Sequence, residues 1–576
     1  MTRGKRIGAL AGLVALALVA AACGDDSGSS DNTTTSTGEA TTTSASAPGT
    51  TAPFADPLKY DESAKCGTAD YKGSIAKLEA VDALTVKFTL CAPDVAFPSK
   101  VAFSAFQIHP KEYIDSTGGK GDLVEKPIGT GPYKLKAWER GSQIVLERND
   151  GYWGDKALSK TVVFKWQKEA AQRLVELKSG AADGIDNLGP ADFDAVRADS
   201  SLQLVERAPL NVFYLGMNRD AAPFDKEEVR QAIGYALNKK RIVDNFYPKG
   251  SVTATQFLPS AIPGYVDGFT DFTNDEAKAK DLLTKAGYPN GFDIKLSYRD
   301  VVRGYLPQPN EVAQDIQNQL AKVGIRVTLD VQESGTFIDN ANAGKVPFHM
   351  LGWGADYPDA TNFLDYHFGA GASPQFGTGF EDIQKVLKEA ASLSVQADRD
   401  KLYEQAAKLI AQHAPMIPVA HGGSGLAYKK DVKGAHASPL SNEQMSVMGI
   451  DGQDQFVFIQ NGEPSGLYCA DETDGEALRV CEQINESLLG YKVGGTDTVP
   501  ALAEKYTASS DLKEWTFTLR SGVKFHDGSD LDANDVVRSF RVQWDAKDPA
   551  HTGRTGDFTY FSALFGGFLN PPPAKG

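Results

Sequence analysis

Residues 84–90, LTVKFTL, set Leu84, Val86, Phe88 and Leu90 against polar partners, the two-residue alternation of a half-buried strand. Near the other end, Thr516, Thr518 and Arg520 alternate with Phe517 and Leu519 in the same way. There Phe525-His526-Asp527-Gly528 turns the chain, and a helix starts over 532–540. The stretch IGTGPYKLKAWERGSQIVLERNDGYWG (128–154) is turn-rich and then gives a hairpin. PFDKEEVRQAIGYALNKKRIV (223–243) predicts a helix: Asp225 can cap it, Glu228 closes a capping box, and Val229, Ile233, Ala236 and Leu237 share one face. From residue 275 helices and strands alternate. NDEAKAKDLLTKAGYPNGF reads as a helix stopped by Gly287 with Pro289 beyond. A strand at DIKLSY, a helix from Asn310 to Lys322, and strands at IRVTLDV and VPFHMLGW follow. This is α/β organisation, in which ligands lie outside the carboxyl ends of strands. The two halves show no internal repeat.

A chain of 576 residues exceeds one ordinary core and implies roughly two to four domains. Hydrophobic content of 41% with 10% aromatics suffices to build buried cores, so the body is not disordered. A net charge of −16 argues against nucleic acid, which needs a basic face, and names no substrate.

The first residues set the compartment. Arg3, Lys5 and Arg6 precede an apolar run from Ile7 to Ala22, and the small residues Ala20-Ala21-Ala22 lead into Cys23. This is a secretory signal, too short for a membrane span. A cysteine directly after the cleavage site resembles a bacterial lipobox, in which the thiol is lipidated. Ala20 stands where leucine is usual, and plain cleavage after Ala22 fits as well. Residues 23–53 are rich in Ser, Thr, Gly and Ala and read as a flexible tether. Anchor, tether and globular body make the layout of a surface receptor rather than a freely diffusing enzyme. Cys66, Cys91, Cys469 and Cys481 remain, and an even count in an exported protein favours disulfides. Nearness in sequence prefers Cys66–Cys91 and Cys469–Cys481 among the three pairings. No C-x-x-C or H-E-x-x-H occurs, so neither a zinc site nor a cofactor is expected.

Five separated blocks carry a resemblance: PALAEKYTASSDLKEWTFTLRSGVKFHDGSDLDANDVVRSF (500–540), PIGTGPYKL (127–135), MNRDAAPFDKEEVRQAIGYALNKKRIV (217–243), AKAKDLLTKAGYP (277–289) and GWGADYPDATNF (352–363). Together they resemble the extracellular solute-binding proteins of family 5, the peptide- and nickel-binding receptors of bacterial ABC importers. The resemblance implies an α/β, two-lobed periplasmic-binding-protein-like fold of class II with an extra small domain. In the family the LRSGVKFHDG block precedes the GTGPY block; here it comes last, so the chain resembles a circularly permuted member. The small domain is then expected from 54–126 plus 495–576, lobe I from 127–255 plus 425–494, and lobe II from 256–424. EWTFTLRSGVKF should share a sheet with LTVKFTL.

The resemblance further implies a receptor that closes on a small peptide and delivers it to a membrane permease, as a monomer anchored outside the cytoplasm through Cys23. Peptide-binding members hold the ligand's α-ammonium with an Asp that here is Asp356, beside Trp353 and Tyr357. That chemistry stands on its own terms, since a carboxylate in a closing cleft is costly until an ammonium pairs with it. An Asp at a strand end also serves as a helix cap, for which Asp359 is equally placed. Arg299 and Arg303, in SYRDVVRGYLPQPN, are candidates for a ligand carboxylate, and solvated surface charge is their plain alternative. Glu463, Thr473 and Asp474, in NGEPSGLYCADETDG, are further cleft candidates. The alternatives are a nickel or metal-chelate receptor of the same fold and a hydrolase. HGGSG (421–425) suggests an oxyanion turn, but Leu426 breaks the G-x-S-x-G elbow, and adjacent His526 and Asp527 suit a turn better than a triad. No catalytic residue is assigned.

Overall fold

The alternation at 84–90 forms the strand Thr85–Leu90, and its C-terminal counterpart forms Glu514–Leu519; the two pair antiparallel, with Phe88 opposite Trp515. Period-two patterning turns Val86, Phe88, Leu90, Trp515, Phe517 and Leu519 into one core. Lys59–Asp61, Ile75–Asp82 and Ala503–Ala508 complete this five-stranded sheet. Helix Ala533–Trp544 packs on it, opened by a capping box between Asp532 and Asp535. The computed structural model of the chain describes residues 54 and 56–571. The signal segment, Cys23 and the tether lie outside the described residues. Among those residues no helix is long and apolar enough to cross a membrane. Both expected disulfides, Cys66–Cys91 and Cys469–Cys481, are present.

Two larger sheets form the lobes. One runs Tyr133–Glu139, Gln143–Arg148, Thr161–Trp166, Gln455–Gln460, Gly184–Ile185, Ser424–Lys429, Leu202–Arg207 in spatial order. The other runs Val252–Thr253, Met416–His421, Asn211–Met217, Phe348–Gly354, Phe292–Arg299, Ile325–Gln332. The second sheet draws on strands from before residue 256, where the second lobe was expected to start. Asn211–Met217 pairs with both Phe348–Gly354 and Met416–His421, so the second sheet starts at residue 211. Hydrophobic pattern alone cannot say which sheet a buried strand joins.

The helix expected over 223–243 is also two helices, Glu227–Ala236 and Lys239–Phe246. Leu237 is extended, and Asn238 caps the second helix by accepting from the Arg241 N–H at 2.9 Å. Asp225 is therefore not the cap; Lys226 occupies that position without a side-chain bond. Val229, Ile233, Ala236 and Leu237 are all buried, as one apolar face requires.

The chain passes between the lobe sheets over two short links, 208–210 and 422–423. The second link is the HGGSG motif, whose glycines serve the crossing. A Cβ at Gly422 would stand 2.0 Å from the Gly304 carbonyl oxygen, so only glycine fits. Asn211 binds this link twice, donating from Nδ2 to the Gly422 carbonyl (2.7 Å) and accepting from the Gly422 N–H (2.8 Å). Beside the links lies a closed ring of four buried charges. Arg207 bonds Asp186 (2.9 Å) and Glu443 (2.7 Å), and Arg479 bonds the same two acids (2.7 and 2.8 Å). Arg207 also donates to Ser424 Oγ (3.1 Å), so the ring ties together the two strand ends that enter the links.

Candidate functional site

Phe348–Gly354 runs parallel to Phe292–Arg299, with His349 level with Ser297, so both carboxyl ends emerge at one edge. Beyond it, residues 355–359 lead into helix Ala360–Phe368. The two acids in this turn have opposite fates. Asp359 is the cap, accepting from the Thr361 N–H (2.9 Å), and its carboxylate is held at both oxygens by Arg399 (2.8 and 2.9 Å). Burial acts against ionisation of Asp359, but Arg399 outweighs it and holds the carboxyl below its usual range.

Asp356 is 8% exposed and has no ion-pair partner among the described residues. Its Oδ2 accepts from Asn362 Nδ2 at 2.9 Å, while Asn362 Oδ1 accepts from the Asp356 N–H (3.0 Å) and from Trp353 Nε1 (3.1 Å). The Tyr560 hydroxyl, from helix Thr559–Leu564 in the last part of the chain, lies close enough to favour the ionised form of the same carboxylate. Burial pushes the Asp356 carboxyl up to about 7, although Asn362 and Tyr560 favour the ionised form. An acid so placed is poised to gain a cation. Trp353 stacks on Tyr366, with ring centroids 4.1 Å apart, as a flat partly exposed wall next to it.

Tyr560 is positioned by Asp471. That carboxylate accepts from the backbone N–H groups of Thr555, Gly556, Asp557 and Phe558, fixing the loop that leads into Thr559–Leu564. Disulfide Cys469–Cys481 pins the segment carrying Asp471. Asp471→Ala is expected to cost about 3 kcal/mol, because several backbone donors lose a charged acceptor. Thermal denaturation checks this, and an unchanged melting temperature would contradict it.

The other candidates disperse. Asp474 caps helix Gly475–Ile484, accepting from the Ala477 N–H at 2.7 Å. It lies near enough to Tyr560 to act on it electrostatically, and burial raises its own carboxyl to about 6. Tyr357 is buried against the core of the five-stranded sheet, its ring 5.7 Å from Lys100 Nζ, with its hydroxyl 3.2 Å from Thr361 Oγ1. Arg299 leaves the same sheet edge as Asp356 and donates to Ser334 Oγ and Tyr305 Oη, both at 3.0 Å. Arg303 is exposed and donates to the Val302 carbonyl. Glu463 clamps the Tyr133–Arg148 hairpin, accepting from Trp138 Nε1 (3.0 Å) and the Gly141 N–H (3.1 Å), and Thr473 is exposed. Asn362, Tyr366 and Tyr560 were not anticipated. Asn362 lies within GWGADYPDATNF, six residues after Asp356; nothing local marks Tyr560.

An enclosed acid at the carboxyl edge of one sheet, met by a tyrosine from outside that sheet, suits capture of a small solute. The family model for bacterial extracellular solute-binding proteins, family 5 Middle, matches residues 34–375 and 497–563. The chain belongs to this family. It is 33% identical over 385 residues to the dipeptide-binding protein of Escherichia coli (strain K12), covering 66% of this chain and 72% of that protein. Against heme-binding protein A of Haemophilus influenzae it is 31% identical over 409 residues, covering 70% and 73%. Among solved structures, the periplasmic binding protein DppA of Helicobacter pylori with the peptide STSA aligns with a TM-score of 0.55 at 29% identity, over 63% of this chain and 71% of that one. Family-5 members are substrate-binding proteins, so this chain is an extracellular solute-binding protein with a two-lobed α/β fold and not an enzyme.

Proposed function

We propose that this family-5 protein captures small peptides, holds the free α-ammonium on Asp356, and delivers the closed complex to the permease of an ABC importer. The observation that carries this reading is Asp356 itself, a buried carboxylate that accepts from Asn362, has Tyr560 nearby, and has no ion-pair partner among the described residues. Trp353 and Tyr366 offer a wall for side chains of varied shape, and Arg299 stands at the same edge for a ligand carboxylate. Asp474 sits close behind Tyr560, and Tyr357 braces the turn that carries Asp356. In this reading Arg303 is a rim charge, and Glu463 and Thr473 belong to the surrounding scaffold. Ligand contacts to both lobes favour the closed arrangement about links 208–210 and 422–423.

In the same reading the mature protein is a monomeric lipoprotein held at the outer face of the cell membrane through Cys23. The chain order is a circular permutation of the family's, with residues from about 454 to 570 standing for its beginning. Antiparallel pairing of Thr85–Leu90 with Glu514–Leu519 supports that order, because one sheet draws on both ends of the body.

The pH dependence of binding tests the site. Asp356 must ionise to pair with an ammonium, and its carboxyl sits at about 7. Affinity should therefore fall roughly tenfold per pH unit below about 7, and fall again above about 8 as the free α-amine loses its proton. Calorimetry of a dipeptide between about pH 5 and 9 reads both limbs, and Asp356→Asn should abolish the acid limb. A flat acid limb in the unmodified protein would exclude Asp356 as the ammonium partner.

A further inference from the structure

A polar cavity of about 220 Å³ lies between the end of helix Gly475–Ile484, the ribbon Leu489–Tyr491/Thr498–Pro500 and residues 152–153. Two carboxylates line it. Glu482 accepts from Ser104 Oγ (2.7 Å) and Gln107 Nε2 (3.3 Å); Glu486 accepts from Tyr152 Oη (2.7 Å) and Trp153 Nε1 (2.8 Å). Neither forms an ion pair within 4 Å among the described residues. Burial, and then the charge of Glu486, raises the Glu482 carboxyl to about 7. Arg520 acts on Glu486 through space, but its guanidinium is engaged by the Ala501 carbonyl (2.6 Å) and the face of Trp153 (4.4 Å). Lys492 stands exposed among the lining residues.

Asn485 gives the independent sign of a ligand. It lines the cavity, is 1% exposed, and neither Oδ1 nor Nδ2 has a hydrogen-bond partner among the described residues. Leaving a buried amide unpaired is costly, so such a group points to something that pairs with it. The walls choose the class. Tyr152, Trp153 and Tyr491 give aromatic surface next to the acids, which suits an organic cation better than a bare metal ion. The volume exceeds the roughly 30 Å³ share of one water several times over.

We propose that this cavity binds a small aliphatic amine, its ammonium on Glu482 and Glu486 and its further polar group on Asn485. The proposal does not depend on what the Asp356 site takes.

Putrescine titrated by calorimetry into the full chain is the test, with Asp356→Ala, Glu482→Gln and Asn485→Ala alongside. The expected result is one-to-one binding that persists in Asp356→Ala and weakens at least about tenfold in both cavity variants, with unchanged circular dichroism. The two cavity variants guard against misfolding of either one. Absence of saturable putrescine binding would overturn the proposal. So would binding lost in Asp356→Ala and kept in the cavity variants, which would put the amine in the main cleft. Calcium chloride binding in place of putrescine would also overturn it, since oxygen donors would then be holding a metal.

Discussion

Asp356→Ala is expected to weaken binding of a di- or tripeptide by about 2 kcal/mol or more, the penalty of leaving a desolvated ammonium unpaired. The size follows from the surroundings of the acid. At 8% exposure, with Asn362 donating to it and Tyr560 nearby, the carboxylate is fixed and dry, so its attraction for a cation is weakly screened. N-acetylation of the peptide should cost the normal protein a similar amount and the variant little. The sign of the stability change separates a binding acid from a structural one. A carboxyl whose folded pKa, about 7, lies above the usual 3.8 destabilises the ligand-free protein progressively from about pH 4 to 7, and by a constant amount above that. Asp356→Asn should therefore leave the empty protein at least as stable at pH 8 while binding fails. Unchanged peptide affinity, measured by calorimetry, would remove Asp356 from the site.

The largest effect on stability is expected from Arg479→Met. Arg479 is 2% exposed and bridges Asp186 and Glu443, themselves 2% and 0% exposed, leaving Arg207 alone against two buried carboxylates when it is lost. Breaking one member of a buried ion network typically costs about 3–5 kcal/mol, because the remaining charge cannot return to water. Burial alone would raise Asp186 and Glu443, but the two guanidiniums outweigh it and hold both below the carboxylate range. Stability from this ring is thus present above the unfolded carboxylate pKa of about 4 and lost as pH falls through the lower folded values. Denaturant unfolding at neutral pH measures the first effect, and a weaker acid dependence in the variant measures the second. A loss under about 1 kcal/mol would mean that the site refills with water. Because Arg207 also holds Ser424, the variant should loosen the lobe links as well.

Much of the local structure was legible because short-range physics sets it. Alternation at 84–90 and 514–519, the Gly287 stop, and the helix after Asp532 needed only their own residues. The break at Leu237–Asn238 was missed because a continuous apolar face hides a change of axis. Tyr560 was missed for another reason: it meets Asp356 only through an Asp471-held loop some two hundred residues away in sequence, and no periodicity reports such a pairing. Glu463 and Tyr357 were themselves expected at the cleft; Glu463 accepts from Trp138 and Tyr357 packs in the core of the five-stranded sheet, contacts that their own neighbours in sequence do not report.

Propensity, patterning and motif chemistry are local, so most strands and helices and the extracellular solute-binding family could be read from the residues alone. Packing of the closed chain decided that Asp359 takes an arginine while Asp356, three residues earlier, takes none. It also decided that the glycines of HGGSG carry the chain between sheets. Desolvation and ion pairing depend on what packs against a side chain from distant segments, and that is fixed only when the chain has closed on itself.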